Sequence, residues 1–171
     1  MHVVTVKEGS DKMGMFKKIW KTGKVTETDE HLQKISQGEK LSLHLRHLDA
    51  GSCNGCDFEI AHLSNPIYDI QQYGLDIVAS PRHADGVLIT GSVTHNLYEA
   101  IKKTYEAVPE PKKVIAVGDC ACGKGIIGSN YAQYSSVNEV LPVDIEIPGC
   151  PPSPKKIIDT IVREMSKKSK V

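Results

Sequence analysis

The sequence predicts an α/β domain, a doubly wound, mostly parallel sheet with helices on both faces, and three observations carry that expectation. Short apolar runs of strand character recur along the chain and stop at glycine or at a Ser-Pro turn. Helical patterns separate them, which calls for crossover connections between parallel strands. Cys53, Cys56, Cys120 and Cys150 each follow such a run, so one edge of the sheet collects them. In sheets of this kind ligands bind outside the carboxyl ends of the strands. The 171 residues suit one domain with a real core, near the ~100–200 residues typical of a domain, and leave no room for a separate catalytic domain.

Leu41, Leu43 and Leu45 alternate with polar residues as a strand does, and Asp49-Ala50-Gly51-Ser52 turns the chain into GSCNGCDFE. A helix is expected to begin near Cys56. The next strands are expected at Asp76 to Ala79, stopped by Ser80-Pro81, and at Gly86 to Thr90, stopped by Gly91. Asn96 to Val108 reads as a helix with Leu97, Ala100, Ile101, Thr104 and Tyr105 on one side, ended by Pro109 and Pro111. Lys113 to Val117 is a buried strand leading into Gly118-Asp119-Cys120, and Val143 to Ile147 is a short one leading into Pro148-Gly149-Cys150. Ser153 and Pro154 suit the cap and first position of a last helix, whose apolar stripe is Ile158, Ile161, Val162 and Met165.

Residues 1–40 are polar, lack a strand pattern and read as an N-terminal extension to a domain spanning 41–171. Within the extension Met13, Phe16, Ile19 and Trp20 fall at near-helical spacing among Lys12, Lys17, Lys18, Lys21 and Lys24. Such a basic amphipathic segment suits a membrane surface or a partner's groove, or a helix folded onto its own domain.

Lys plus Arg and Asp plus Glu balance at 21 each, which argues against nucleic acid as a partner. No apolar run reaches the ~20 residues that span a bilayer, and MHVVTVKEGSDK lacks the apolar region of a secretory signal, so a cytoplasmic setting is expected. Thiols stay reduced there, and five cysteines is an odd number, so metal binding is favoured over disulfides. Four thiolates from three loops suit an iron-sulfur cluster, whose anionic cage gains from backbone N–H donors in glycine-rich loops. A Cys₄ zinc site uses the same donors but more often repeats two close pairs, whereas this chain has one pair and two distant single cysteines. Cys122 lies two residues from Cys120 and could replace it; the turn before Cys120 parallels that before Cys150, which favours Cys120.

GSCNGCDFE, SPRHADGVLITGSVT, VGDCAC and PGCPPSP, in that order over roughly residues 41–160, together resemble the small subunit of nickel-iron hydrogenases, especially the membrane-bound energy-converting group, and the related cluster-bearing subunit of respiratory complex I. The resemblance implies a flavodoxin-like fold and one 4Fe-4S cluster on Cys53, Cys56, Cys120 and Cys150 beside the active site of a large subunit. Complex I relatives carry adjacent cysteines in the first motif, so Cys53 and Cys56 favour the hydrogenase branch. Relatives also carry a GG-x-F stretch after the third ligand, where this chain has Gly123-Lys124-Gly125-Ile126-Ile127. The resemblance further implies a proton-passage role for Glu59, which could equally be a first-turn acid favoured by the helix dipole. His44, His47, His62, His83 and His95 are weaker candidates for tuning a cluster or relaying protons, Arg82 and His83 foremost among the surrounding basic residues.

The expected function is therefore that of an electron-transfer subunit of a hydrogenase-type oxidoreductase complex, with no substrate site of its own. It would work between a ferredoxin-like iron-sulfur subunit and a nickel-iron large subunit, held with membrane-embedded subunits on the cytoplasmic side of the cell membrane. The alternative within the family is the same subunit in a ferredoxin-linked sulfur or quinone reductase. An FMN-binding module would share the sheet, but no Ser/Thr-rich phosphate loop follows the first strand. A zinc-stabilised interaction domain is the third reading.

Overall fold

A computed structural model describes residues 15–23, 26, 28–38 and 41–168. Five strands, β1 (Leu43–Asp49), β2 (Leu75–Ile77), β3 (Gly86–Thr90), β4 (Lys113–Val117) and β5 (Ile145–Ile147), form one sheet in the order β2-β1-β3-β4-β5. Every pairing is parallel. This is the doubly wound, flavodoxin-type order expected, and its switch point lies between β1 and β3.

The β3 sequence GVLIT is buried at every position because both faces of the sheet are covered there, so its apolar run does not alternate. On one face Leu45, Leu88, Ile115 and Ile147 pack under α3 (Gly55–Leu63) and α5 (Pro154–Lys168). On the other, Val87, Ile89, Val114 and Ala116 pack with Ile101 of α4 (Tyr98–Ala107). Helix α5 starts as expected, with Lys156 N donating to the Ser153 hydroxyl at 3.4 Å and Pro154 in the first turn. Its buried stripe gains Ile157 beside Ile158, Ile161 and Val162.

Two further helices, α1 (Met15–Thr22) and α2 (Glu30–Gly38), lie within the segment read as an extension. Helix α2 buries Leu32 to 2% exposure in the α3/α5 core, a burial worth about 1.5–3 kcal/mol. Lys12, Met13 and Lys24 of the amphipathic segment lie outside the described residues, and Trp20, in α1, is 91% exposed.

Strand β2 is shorter than expected, because it pairs only with Leu43, His44 and Leu45, and after Val78 N donates to Leu45 O at 2.9 Å the chain leaves through Ser80-Pro81. Strand β5 starts at Ile145: Asp144 N already donates to Val114 O at 2.9 Å, but the Val114 N–H goes to the Asp144 carboxylate at 3.0 Å, beside the Lys113 ammonium at 2.8 Å, and the paired register begins one residue later. On α4 the buried side is Ile101 with Leu97, Tyr98 and Tyr105; Ala100 is exposed, and Thr104 returns its hydroxyl to Ala100 O at 2.8 Å.

Candidate metal centre

The first cysteine loop hangs from the carboxyl end of β1. Asp49 Oδ1 accepts the N–H groups of Gly51 at 2.8 Å and Ser52 at 2.7 Å, turning the chain directly after the strand. Asn54 N donates to the Ser52 hydroxyl at 3.0 Å, and Asn54 takes a left-handed φ of 68° before α3 begins at Gly55. Asp57, in the first turn of α3, closes the loop. Its carboxylate accepts the Ser52 hydroxyl and the Thr90 hydroxyl, the latter at 2.6 Å, and lies 3.0 Å from His47 Nε2.

The other two loops are clipped to each other. Asp119 N donates to Gly149 O at 2.8 Å, and Gly149 N donates back to the Asp119 carboxylate at 2.7 Å. The β4 and β5 loops thus hold Cys120 and Cys150 at one level. Two glycines let the loops close on the first. At Gly118, with φ +94°, a Cβ would stand 2.5 Å from Cys56 Sγ; at Gly91, with φ +77°, it would stand 2.4 Å from Ser52 N.

Cys53, Cys56, Cys120 and Cys150 consequently line one cleft, together with Gly91, Gly149 and Pro151. Burial pushes the Cys56 thiol up to about 12, and the negative charge of Asp57 and the neighbouring Cys53, Cys120 and Cys150 push it the same way. Cys120 is raised by burial first and then by Cys150 and Cys53. Thiols so close repel one another when ionised, which a bound cation relieves, and metal binding then releases their protons. Among the described residues no three His, Cys, Asp or Glu side chains converge on the geometry of a single metal ion. Cys122 faces the other way: its thiol reaches Ala116 O at 3.8 Å, it packs in the α4 core, and burial and Glu146 push it up to about 11.

Glu59 sits on α3 three residues beyond Cys56, partly buried, with Oε2 4.0 Å from His62 Nδ1. His95 lies after β3, its ring edge-on to Tyr134 at 4.6 Å. His44 faces Asp76 at 4.0 Å. Arg82 and His83 stand elsewhere than their place after a strand suggested. Their turn, Pro81–His83, feeds β3 at its amino end, where Asp85 N bonds His44 O, while the cysteines follow carboxyl ends.

Asp57, Thr90 and Asp119 were not singled out from the sequence. The signal was faint: Asp119 adjoins Cys120 and Asp57 adjoins Cys56, but only the fold reveals what each carboxylate accepts.

The family model described as NADH ubiquinone oxidoreductase, 20 Kd subunit, matches residues 53–163. An uncharacterized protein of Methanocaldococcus jannaschii is 48% identical over 72% of this chain and 83% of its own length. A probable membrane-bound hydrogenase subunit of Pyrococcus furiosus is 42% identical over 73% of this chain and 75% of its own. Among solved structures, a chain of the membrane-bound sulfane sulfur reductase, an archaeal respiratory membrane complex, superimposes with a TM-score of 0.66 at 32% identity, covering 80% of this chain and 75% of that one.

Proposed function

Because the chain belongs to the NADH ubiquinone oxidoreductase 20 Kd subunit family, we propose that it is an electron-transfer subunit carrying one 4Fe-4S cluster on Cys53, Cys56, Cys120 and Cys150. One observation carries the reading: four cysteines from three strand-end loops line one cleft, while the fifth turns into the core. The donor set fits the group, for it is all thiol, and Gly118 leaves beside Cys56 a space that a Cβ would fill. When bound, such a cluster takes up and gives up one electron. The chain's own part is to hold four sulfurs in register and to surround them with backbone N–H groups.

The remaining assignments belong to the same proposal. The large subunit contains nickel and iron, supported by the greater identity to a hydrogenase subunit than to the sulfur reductase chain. A ferredoxin-like subunit exchanges electrons with the cluster, and membrane-embedded subunits hold the assembly at the cytoplasmic side of the cell membrane. No helix of the described residues is long and apolar enough to cross a membrane. The large subunit covers the cleft by way of Ile127, which lines a hollow shared with Cys120, and Phe58, 66% exposed one turn into α3. Glu59 passes protons toward the large subunit. The second reading, a sulfur or quinone reductase subunit, draws support from the superposition on the sulfane sulfur reductase chain, and the nickel content of the copurifying large subunit separates the two.

Iron and sulfide counted in each Cys→Ser variant test the ligand assignment. Replacing Cys53, Cys56, Cys120 or Cys150 is expected to lose or change the cluster, and Cys122→Ser to retain it. Retention in Cys120→Ser with loss in Cys122→Ser would overturn the third ligand.

A further inference from the structure

Asp57 is the most heavily engaged polar side chain near the cleft, and the electron-transfer reading gives it no task. Its two oxygens serve three segments. Oδ2 accepts the Ser52 hydroxyl, and through Ser52 Oγ, which in turn accepts Asn54 N at 3.0 Å, the carboxylate controls both neighbours of Cys53. Oδ1 accepts the hydroxyl of Thr90, fully buried at the end of β3, at 2.6 Å, and faces His47 Nε2 of β1 at 3.0 Å. The ring of His47 is also 3.2 Å from Thr90 Oγ1. Strands β1 and β3 are the two that flank the switch point, and Asp49 pairs with Thr90 at its rim. A capping role in the first turn of α3 needs none of these partners.

We propose that Asp57 is the positioning residue for the Cys53 and Cys56 thiols: its carboxylate pins the loop that carries them to the ends of β1 and β3. The value of that role for a cluster rests on the reading of the four cysteines as ligands; the pinning itself does not. A side chain locked by several partners holds its neighbours to a narrower geometry than a loop left to water, which is what a four-sulfur cage requires before it is filled.

The test uses the full chain, without metal and under reducing conditions, with iodoacetamide alkylation of each cysteine followed by mass spectrometry. In Asp57→Ala the rates at Cys53 and Cys56 are expected to rise several-fold while Cys150 and Cys122 hold their wild-type rates. Asp57→Asn keeps an acceptor for Thr90 and removes the charge that raises the Cys56 thiol, so it is expected to fall between the two. Equal acceleration in Asn and Ala variants assigns the effect to lost charge and overturns the proposal, as does uniform acceleration at all five cysteines or none at any. Ser52→Ala removes only the loop arm and is expected to speed alkylation at Cys53; it carries the test should Asp57→Ala not fold. The same proteins, incubated anaerobically with iron and sulfide, are then challenged with a chelator. Faster iron loss from Asp57→Ala than from wild type supports the proposal. A wild-type chain that binds no iron or sulfide defeats the cluster reading, while the alkylation rates still decide the role of Asp57.

Discussion

The loop after β1 and the loop after β4 both deliver cysteines to the cleft, yet they are built differently. In the first, Ala50 N bonds the end of β3, Gly51 and Ser52 bond Asp49, Ser52 also bonds Asp57, and Asn54 bonds Ser52 in turn. The second is held as far as Lys124 N, which donates to Asp119 O at 2.7 Å, and then raises Ile126 at 99% exposure, Ile127 at 63% and Tyr131 at 97%. Tight bonding narrows the geometry of a loop, whereas exposed apolar side chains, of which Ile127 lines a hollow with Cys120, suit a covering partner. On the proposed reading, one loop is a ligand frame and the other combines a ligand with a contact surface.

The comparison can be broken most visibly at the contact surface. Ile126→Ser with Ile127→Ser is expected to leave the thermal stability of the chain within about 0.5 kcal/mol, since neither side chain is buried, and to abolish copurification of the large subunit. Unchanged copurification would return this loop to ordinary surface. At the foot of the second loop, Gly118→Ala forces a Cβ toward Cys56 Sγ of the first and a side chain into a positive φ, and a loss of about 1–3 kcal/mol in urea unfolding is expected, with weaker iron retention. The same substitution at Gly128, which also has positive φ but open space, keeps iron retention at the wild-type level.

Smaller effects sharpen the contrast. Glu59 lies beyond the first turn of α3, where Asp57 is the acid, so it has no helix-dipole role. Glu59→Gln is expected to leave helix stability and the cluster signal unchanged and to slow proton-coupled turnover of the assembled complex; normal turnover would remove the proton role as well. The smallest effect concerns pH. Burial lowers the His47 pKa from 6.5, outweighing the opposing pull of Asp57, so His47 is favoured neutral in the folded chain and can donate Nε2–H to that carboxylate. The unfolded chain then takes up more protons as pH falls through 6.5, and the contribution of His47, full above that value, is lost below it. Thermal melts of the metal-free chain between pH 8 and pH 5 are expected to show this decline, flattened in His47→Gln.

Local pattern made much of the molecule legible. The β3 and β4 boundaries follow from uninterrupted apolar runs closed by Gly91 and Gly118, and the start of α5 follows from Ser153-Pro154. Helix α2 was hidden, because EHLQKISQG carries only Leu32 and Ile35 as large apolar residues and its burial depends on α5, which lies far along the chain. Arg82 and His83 follow a strand end yet stand away from the cysteine edge, because β2 is too short to reach that edge.

The sequence by itself determined the alternation of strands and helices, the placing of four cysteines in loops that leave strand ends, and the glycines that let those loops close up, since each depends on residue type and near neighbours. Only the tertiary structure decided the strand order that puts β1 beside β3 and the turning of Cys122 into the α4 core. It also decided the meeting of Asp57 with Ser52, Thr90 and His47. A carboxylate's partners in space come from segments that are distant in the chain, and no local periodicity encodes which of them the sheet will bring within hydrogen-bonding reach.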